Sequence, residues 1–261
     1  TTPGIKALKS IGYNVDAICE PSGKAGFEVM LNTGLFDNVS LINCYEQNYN
    51  EYLSFHHNIK FRSECRTSAR DDNKPEYEWH VEMVRQMGFK GKTPTARVRH
   101  SSKWLDVKHG TVAFAPCAFS DIWKIKQWGG YVDLAEYFES VVLFGSSSDI
   151  LPDDSNYHGG VTDYIGKTGI ADALSIISQC SMFIGNDCGL AHASAAMGVP
   201  TFIIFGPTSD VKNLPQGAHC IKGNLDCQPC QGTDKFMKCD DLKCMKELTA
   251  DEVYKQIKGA E

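Results

Sequence analysis

FIGNDCGLAHASAAMGVPTFIIFG, residues 183–206, is apolar at both ends and built from small residues in its middle. A short apolar run, a Gly-Asn-Asp corner, an Ala-rich stretch and a second apolar run read as strand, turn, helix and strand. Strands that are continuously apolar, with no alternation, belong to a parallel sheet covered on both faces. Ligands of such sheets sit beyond the carboxyl ends of the strands, which is where residues 186–192 fall. Asn186 and Asp187 occupy the cap region of a helix opening near Cys188, where a short polar side chain can accept a backbone N–H. Gly189 has no Cβ, so another group can come close to its backbone. The amides of Cys188, Gly189, Leu190 and Ala191, with the helix dipole behind them, suit a phosphate or pyrophosphate. A plainer reading stands beside this one. In it Asp187 only caps the helix, His192 is a hydrogen-bonded packing residue, and the alanines only let the helix approach the sheet.

The same alternation extends upstream. TVAFAP (111–116) reads as a strand, YVDLAEYFES (131–140) as a helix and VVLFG (141–145) as a strand. IADALSIISQ (170–179) reads as a helix and SMFIG (181–185) as the strand leading into the corner. Strands separated by helices predict a doubly wound α/β domain. The first hundred residues show a looser version of it. Helix signals fall at 5–11, 24–34 and 76–89, and strand signals at 14–19 and 38–43, with a polar, weakly periodic stretch over 44–74. The turn-rich segment 90–110 is short on apolar residues and carries the domain boundary. The expected division is an N-terminal Rossmann-like domain over 1–105, a C-terminal one over 106–248, and a last helix over 249–261 that can pack back on the first domain.

Composition excludes several functions. The 261 residues are 42% apolar and 22% charged, and no apolar run reaches the roughly 20 residues of a membrane helix. TTPGIKALKS lacks the apolar core of a secretion signal, which together with 11 cysteines suggests reduced or metal-bound thiols in a reducing compartment. Residues 1–110 carry 15 Lys and Arg against 13 Asp and Glu, whereas residues 111–261 carry 11 against 19. A nucleic-acid binder is basic over a domain, so no nucleic-acid partner is expected. GKT at 166–168 is not a P-loop, because the required earlier glycine would stand at Val161.

Read as one string, Asp187, Gly189 and His192, the Ala-rich helix, Gly198 to Pro200 and Phe205 to Thr208 resemble the signature of glycosyltransferase family 9, the heptosyltransferase-like enzymes. Other pieces follow in that family's order: FAPCAFSDIWKIKQW (114–128), LFGSSSD (143–149) and YIGKTGIADALSIISQC (164–180). The resemblance implies a GT-B fold of two Rossmann-like domains facing a cleft. It also implies inverting sugar transfer from a nucleotide-diphosphate sugar to a saccharide or glycolipid acceptor such as lipopolysaccharide core. Carried over, the backbone of Cys188 to Ala191, with Asp187 and His192 beside it, holds the diphosphate. Lys126, or Lys124 from the same loop, neutralises the leaving group, Ser120 offers a hydroxyl and Asp149 takes the ribose. No cofactor is required for such catalysis, and the expected location is the cytoplasm, with peripheral contact at the inner membrane face.

The family's catalytic base, an Asp after the first strand, would precede Thr1. Either the polypeptide is longer, or the chain is a nucleotide-sugar-binding module without transfer activity; Asp16 and Glu20 are no obvious substitutes. A sugar-nucleotide epimerase of the same fold would need an acid/base set that is not found.

Two further groups complete the candidates. Arg62, Arg66 and Arg70 fall at helical spacing and could clasp an anionic acceptor, or form a solvated face balanced by Glu64, Asp71 and Asp72. Cys227, Cys230, Cys239 and Cys244, spaced C-x2-C-x8-C-x4-C, match a structural zinc site, with reduced thiols or a local disulfide as the other readings.

Overall fold

The computed structural model describes residues 2–12, 17–19, 39–41, 73–98, 107–117, 121–147, 149, 157, 159–236 and 238–260. The chain divides into two compact units, Thr1–Arg99 and His100–Glu261. The expected helix over 24–34 lies outside the described residues.

In the first unit α1 (Thr2–Ser10) packs against α2 (Glu76–Gln86), and β1 (Ala17–Cys19) pairs in parallel with β2 (Val39–Leu41). Ala7 and Leu8 of α1 meet Val81 and Val84 of α2, with Phe89 closing the cluster. Helix spacing explains the pairing: residues 81 and 84 are three apart and share one face. Lys6 Nζ donates to the Thr95 carbonyl at 2.7 Å, fixing the segment after α2 beside α1.

The second unit is a six-stranded, wholly parallel sheet. Its strands are β3 (Val112–Ala115), β4 (Val141–Leu143), β5 (Val161–Asp163), β6 (Met182–Asn186), β7 (Thr201–Ile204) and β8 (Ala218–Ile221). The spatial order is β5-β4-β3-β6-β7-β8. Counted from β3 this is 3-2-1-4-5-6, the dinucleotide-binding order, whose switch point lies between β3 and β6.

Two apolar layers follow from the pleat, since successive side chains point to opposite faces. Val112, Phe114, Ile184, Phe202 and Ile204 enter one layer with Leu134, Val253 and Ile257. Ala113, Ala115, Phe183, Ile203 and Phe205 enter the other with Ala173, Ile176, Ile177 and Ala191. Helices α3 (Tyr131–Ala135) and α6 (Ala250–Ala260) therefore cover one face, and α4 (Ile170–Ile177) and α5 (Gly189–Met197) the other. Alanines on β3 and α5 keep the second layer thin. The last helix thus contributes Val253 and Ile257 to the core of the second unit.

Three elements differ from the sequence expectation. The helix at 131–140 stops at Ala135. β5 and β8 carry no strong sequence signal because they are the sheet edges: β5 is a three-residue strand with exposed Thr162 and Asp163, and β8 runs half-buried, exposed, half-buried and buried. Among the described residues no helix is long and apolar enough to cross a membrane.

Candidate functional site

Two loops meet at the switch point, one leaving β3 and one leaving β6. Asn186, the last residue of β6, is completely buried and ties them together. Its Nδ2 donates to the Pro116 carbonyl at 2.9 Å, while its Oδ1 accepts from the Trp128 amide at 3.1 Å and the Tyr131 hydroxyl at 3.2 Å. One side chain therefore grips both ends of the segment 116–128. A buried amide whose groups are all paired is a staple, and each of its partners would be costly to leave unpaired. The sequence reading placed Asn186 at a helix cap. Its actual work is here.

The segment so held carries a 3₁₀ turn, Asp121–Lys126. Of the two lysines expected to serve, Lys126 is the one turned to the β6 loop. Its mostly buried ammonium stands 3.7 Å from Asp187 Oδ2 and 4.8 Å from the ring centre of Trp123. Lys124 is exposed. Ser120 lies outside the described residues, as do Arg62, Arg66 and Arg70.

Asp187 is not a helix cap. The N-cap of α5 is Cys188, with an extended backbone (φ −150°, ψ 166°) and no side-chain bond to the first turn. Asp187 instead gathers side chains. Besides Lys126, His192 Nε2 lies 3.8 Å from its Oδ1, and Asn213 Nδ2 donates to its Oδ2 at 3.0 Å. Burial pushes this carboxyl up, but His192, the Lys126 charge and the Asn213 amide outweigh burial and hold it below the ordinary carboxylate value. It is thus an anion at neutral pH, set among donors.

The mouth of α5 is open in part. The Ala191 amide donates to the Cys188 carbonyl at 3.1 Å, so the expected set of four donors shrinks to three. The amides of Cys188, Gly189 and Leu190 have no backbone acceptor among the described residues. A Cβ built on Gly189 would meet nothing within 4 Å, which leaves space in front of the turn. Behind it Gly198 ends the helix in the left-handed conformation (φ 84°) that glycine adopts without strain.

Asp149 stands beyond the end of β4. Its Oδ2 accepts from the Ser146 amide at 2.6 Å, while its Oδ1 is buried and accepts from no group among the described residues. The neighbouring Cys117, past the end of β3, is pushed up to about 12 by burial and then by the charges of Asp149 and Cys188. The GKT run serves the backbone. Lys167 pairs with Asp163 at 2.6 Å, and the Gly166 amide donates to the Gly145 carbonyl at 3.0 Å, bracing the loop that carries Asp149. Gly166 sits at φ +67°, with the Ser147 backbone where a Cβ would go.

Residues from the loop after β8 reach the site. Pro207 O accepts from the amides of Cys230 (3.1 Å) and Gln231 (2.9 Å). Gln231 Oε1 accepts from the Ser209 amide at 2.8 Å and from Asn213 Nδ2 at 3.3 Å, and the Phe236 ring lies 6.2 Å from Trp123. Burial and then the neighbouring sulfurs of Cys227, Cys230 and Cys239 push Cys244 up to about 11, so the four thiols share one neighbourhood. Among the described residues no three His, Cys, Asp or Glu side chains are gathered as a metal cage. Trp123, Asn213, Gln231 and Phe236 are absent from the sequence-based candidates, and Asn186 was read only as part of a helix cap. Polar or aromatic residues in loops give no signal until the fold brings them together.

Comparison with known proteins agrees with this geometry. The family model described as glycosyltransferase family 9 (heptosyltransferase) matches residues 71–240. Lipooligosaccharide heptosyltransferase 2 of Campylobacter jejuni is 36% identical over 102 residues, a match covering 38% of this chain and 31% of that protein. The match thus spans about a third of the relative's length. Among solved structures, a family 9 glycosyl transferase from Veillonella parvula superposes with a TM-score of 0.68 at 15% identity, over 85% of this chain and 80% of that one. Heptosyltransferase WaaC of E. coli, solved with ADP, superposes with a TM-score of 0.69 at 10% identity, over 100% of this chain and 95% of that one. These likenesses show the fold, an α/β GT-B architecture. The family match covers more than half of the chain, and with it the switch-point loops described above: the chain belongs to glycosyltransferase family 9.

Proposed function

We propose that the chain binds a nucleotide-diphosphate sugar at the switch point of the second unit and serves glycosyl transfer to a saccharide acceptor with inversion at the anomeric carbon. One observation carries the reading. Lys126 is paired with Asp187, the residue just before the N-cap of α5, beyond the carboxyl edge of the sheet, where this strand order binds nucleotides.

The chemistry follows from the charges. Breaking the bond between the sugar and its diphosphate develops positive charge on the sugar ring and negative charge on the leaving group. Amides fixed at a helix terminus and a buried ammonium stabilise that negative charge without reorganising. Asp187 holds the Lys126 ammonium in place until the diphosphate competes for it. With these donors present, the leaving group needs no divalent cation. The acidic balance of residues 111–261 assigns affinity to these local donors rather than to a long-range field. The unpaired Oδ1 of Asp149 supports its role as the acceptor for a ribose hydroxyl. In-line attack by the acceptor then inverts the anomeric centre, and a base on the acceptor side removes the hydroxyl proton. WaaC, whose solved structure holds ADP, supports a nucleoside diphosphate as the product.

A thermal-shift screen of nucleotide-diphosphate sugars, followed by calorimetric titration with ADP and its analogues, tests the reading. Stabilisation by at least one nucleotide in the wild type, weakened but still measurable in Lys126→Ala, supports it. Absence of binding across the panel contradicts it.

A further inference from the structure

The segment 226–244 touches the donor site at three places, and none of these contacts is explained by the catalytic scheme above. Phe236 lies against Trp123 at 6.2 Å, and Trp123 carries the Lys126 ammonium on its face at 4.8 Å. Gln231 holds Asn213 at 3.3 Å, and Asn213 in turn donates to Asp187 at 3.0 Å. The same Gln231 oxygen accepts from the Ser209 amide, and two amides of the segment donate to Pro207. Two separate paths therefore run from this one loop, one to the lysine and one to its carboxylate partner.

Resting on the donor-site reading above, we propose that segment 226–244 is a positioning element for the diphosphate subsite, with Phe236 and Gln231 as its positioning residues. Phe236 acts through Trp123. A lysine on a flexible stem carries a large rotamer entropy, and a ring below it confines the ammonium to the side that also faces Asp187. A ring with a second ring behind it cannot swing away. Gln231 acts through Asn213. With one oxygen accepting from two donors, it fixes the amide that orients Asp187, so that Asp187 presents Oδ2 to both Lys126 and Asn213. The cysteines of the segment frame these two residues in sequence, Cys230 before Gln231 and Cys239 after Phe236.

Calorimetric titration of the full chain with ADP tests this. Phe236→Ala is expected to weaken ADP about three- to tenfold, the size of an aromatic pair contact, and Phe236→Tyr to bind as the wild type does. In a Lys126→Ala background the same Phe236→Ala change is expected to cost nothing further, because its effect passes through the lysine. Gln231→Ala is expected to weaken ADP by a similar factor with Trp123 and Phe236 intact. Equal losses from Phe236→Ala in both backgrounds, or wild-type affinity in both Phe236→Ala and Gln231→Ala, overturn the proposal while leaving the donor site standing. A wild-type chain that binds no nucleotide overturns the donor site and this proposal with it.

Discussion

Lys126 Nζ stands 3.7 Å from Asp187 Oδ2, with both side chains mostly buried. They come from loops at the ends of neighbouring strands, β3 and β6. A buried pair of this kind is a weak source of stability, because desolvation offsets the attraction. Removing one partner is costly, since the other is left charged and uncompensated. On the proposed function, the pair holds a cation ready for an anionic ligand.

Lys126→Ala is expected to reduce turnover by about 10²–10³, the cost of removing one preorganised donor to developing negative charge. Urea unfolding followed beside the transfer assay separates this from folding. A cooperative transition at a lowered urea midpoint, with turnover lost far beyond any unfolded fraction, is the expected pairing.

Asp187 gives a pH signature. Its folded-state pKa lies below the ordinary value, so its charged form contributes stability that is fully present above about pH 4. That contribution is lost as pH falls through the ordinary carboxylate range toward the depressed folded value. The stability difference between wild type and Asp187→Asn is expected to be constant near neutrality and to shrink steadily under acid. Urea midpoints from pH 7 to pH 3 check it, and a difference that grows under acid contradicts the assignment.

Asn186→Ala leaves the Trp128 amide, the Tyr131 hydroxyl and the Pro116 carbonyl without their common partner. A loss of about 3 kcal/mol is expected from several buried groups left unpaired. Because the staple holds the turn bearing Lys126, ADP affinity is expected to fall as well. Denaturant unfolding and ADP titration read the two effects.

How much of this was legible in the sequence varies by element. The buried strands β3, β6 and β7 announce themselves because both faces are covered, and continuous apolar runs such as TFII have no other comfortable setting. The edges β5 and β8 do not, since half of their surface faces water and no period survives. The corner 186–192 was readable as a ligand-facing turn, but the division of labour within it was not. Asn186 and Asp187 look alike in sequence, yet one is a buried staple and the other an anionic hub. That distinction depends on Pro116, Trp128 and Asn213, which are remote in the chain. The choice between Lys124 and Lys126 was likewise open, because spacing in a 3₁₀ turn does not say which side chain faces β6.

Thiol reactivity offers a separate check. Burial pushes Cys117 and Cys180 up to about 12, whereas Cys227 and Cys239 are exposed. Since the thiolate is the reactive form, brief alkylation at pH 8 followed by peptide mapping is expected to label Cys227 and Cys239 and to spare Cys117 and Cys180.

A crystal structure of the chain with ADP tests the central claim most directly. The diphosphate is expected within hydrogen-bond reach of the Gly189 and Leu190 amides, with the Lys126 ammonium drawn from Asp187 toward it. A diphosphate seated away from α5, with Lys126 still closed on Asp187, would contradict the account.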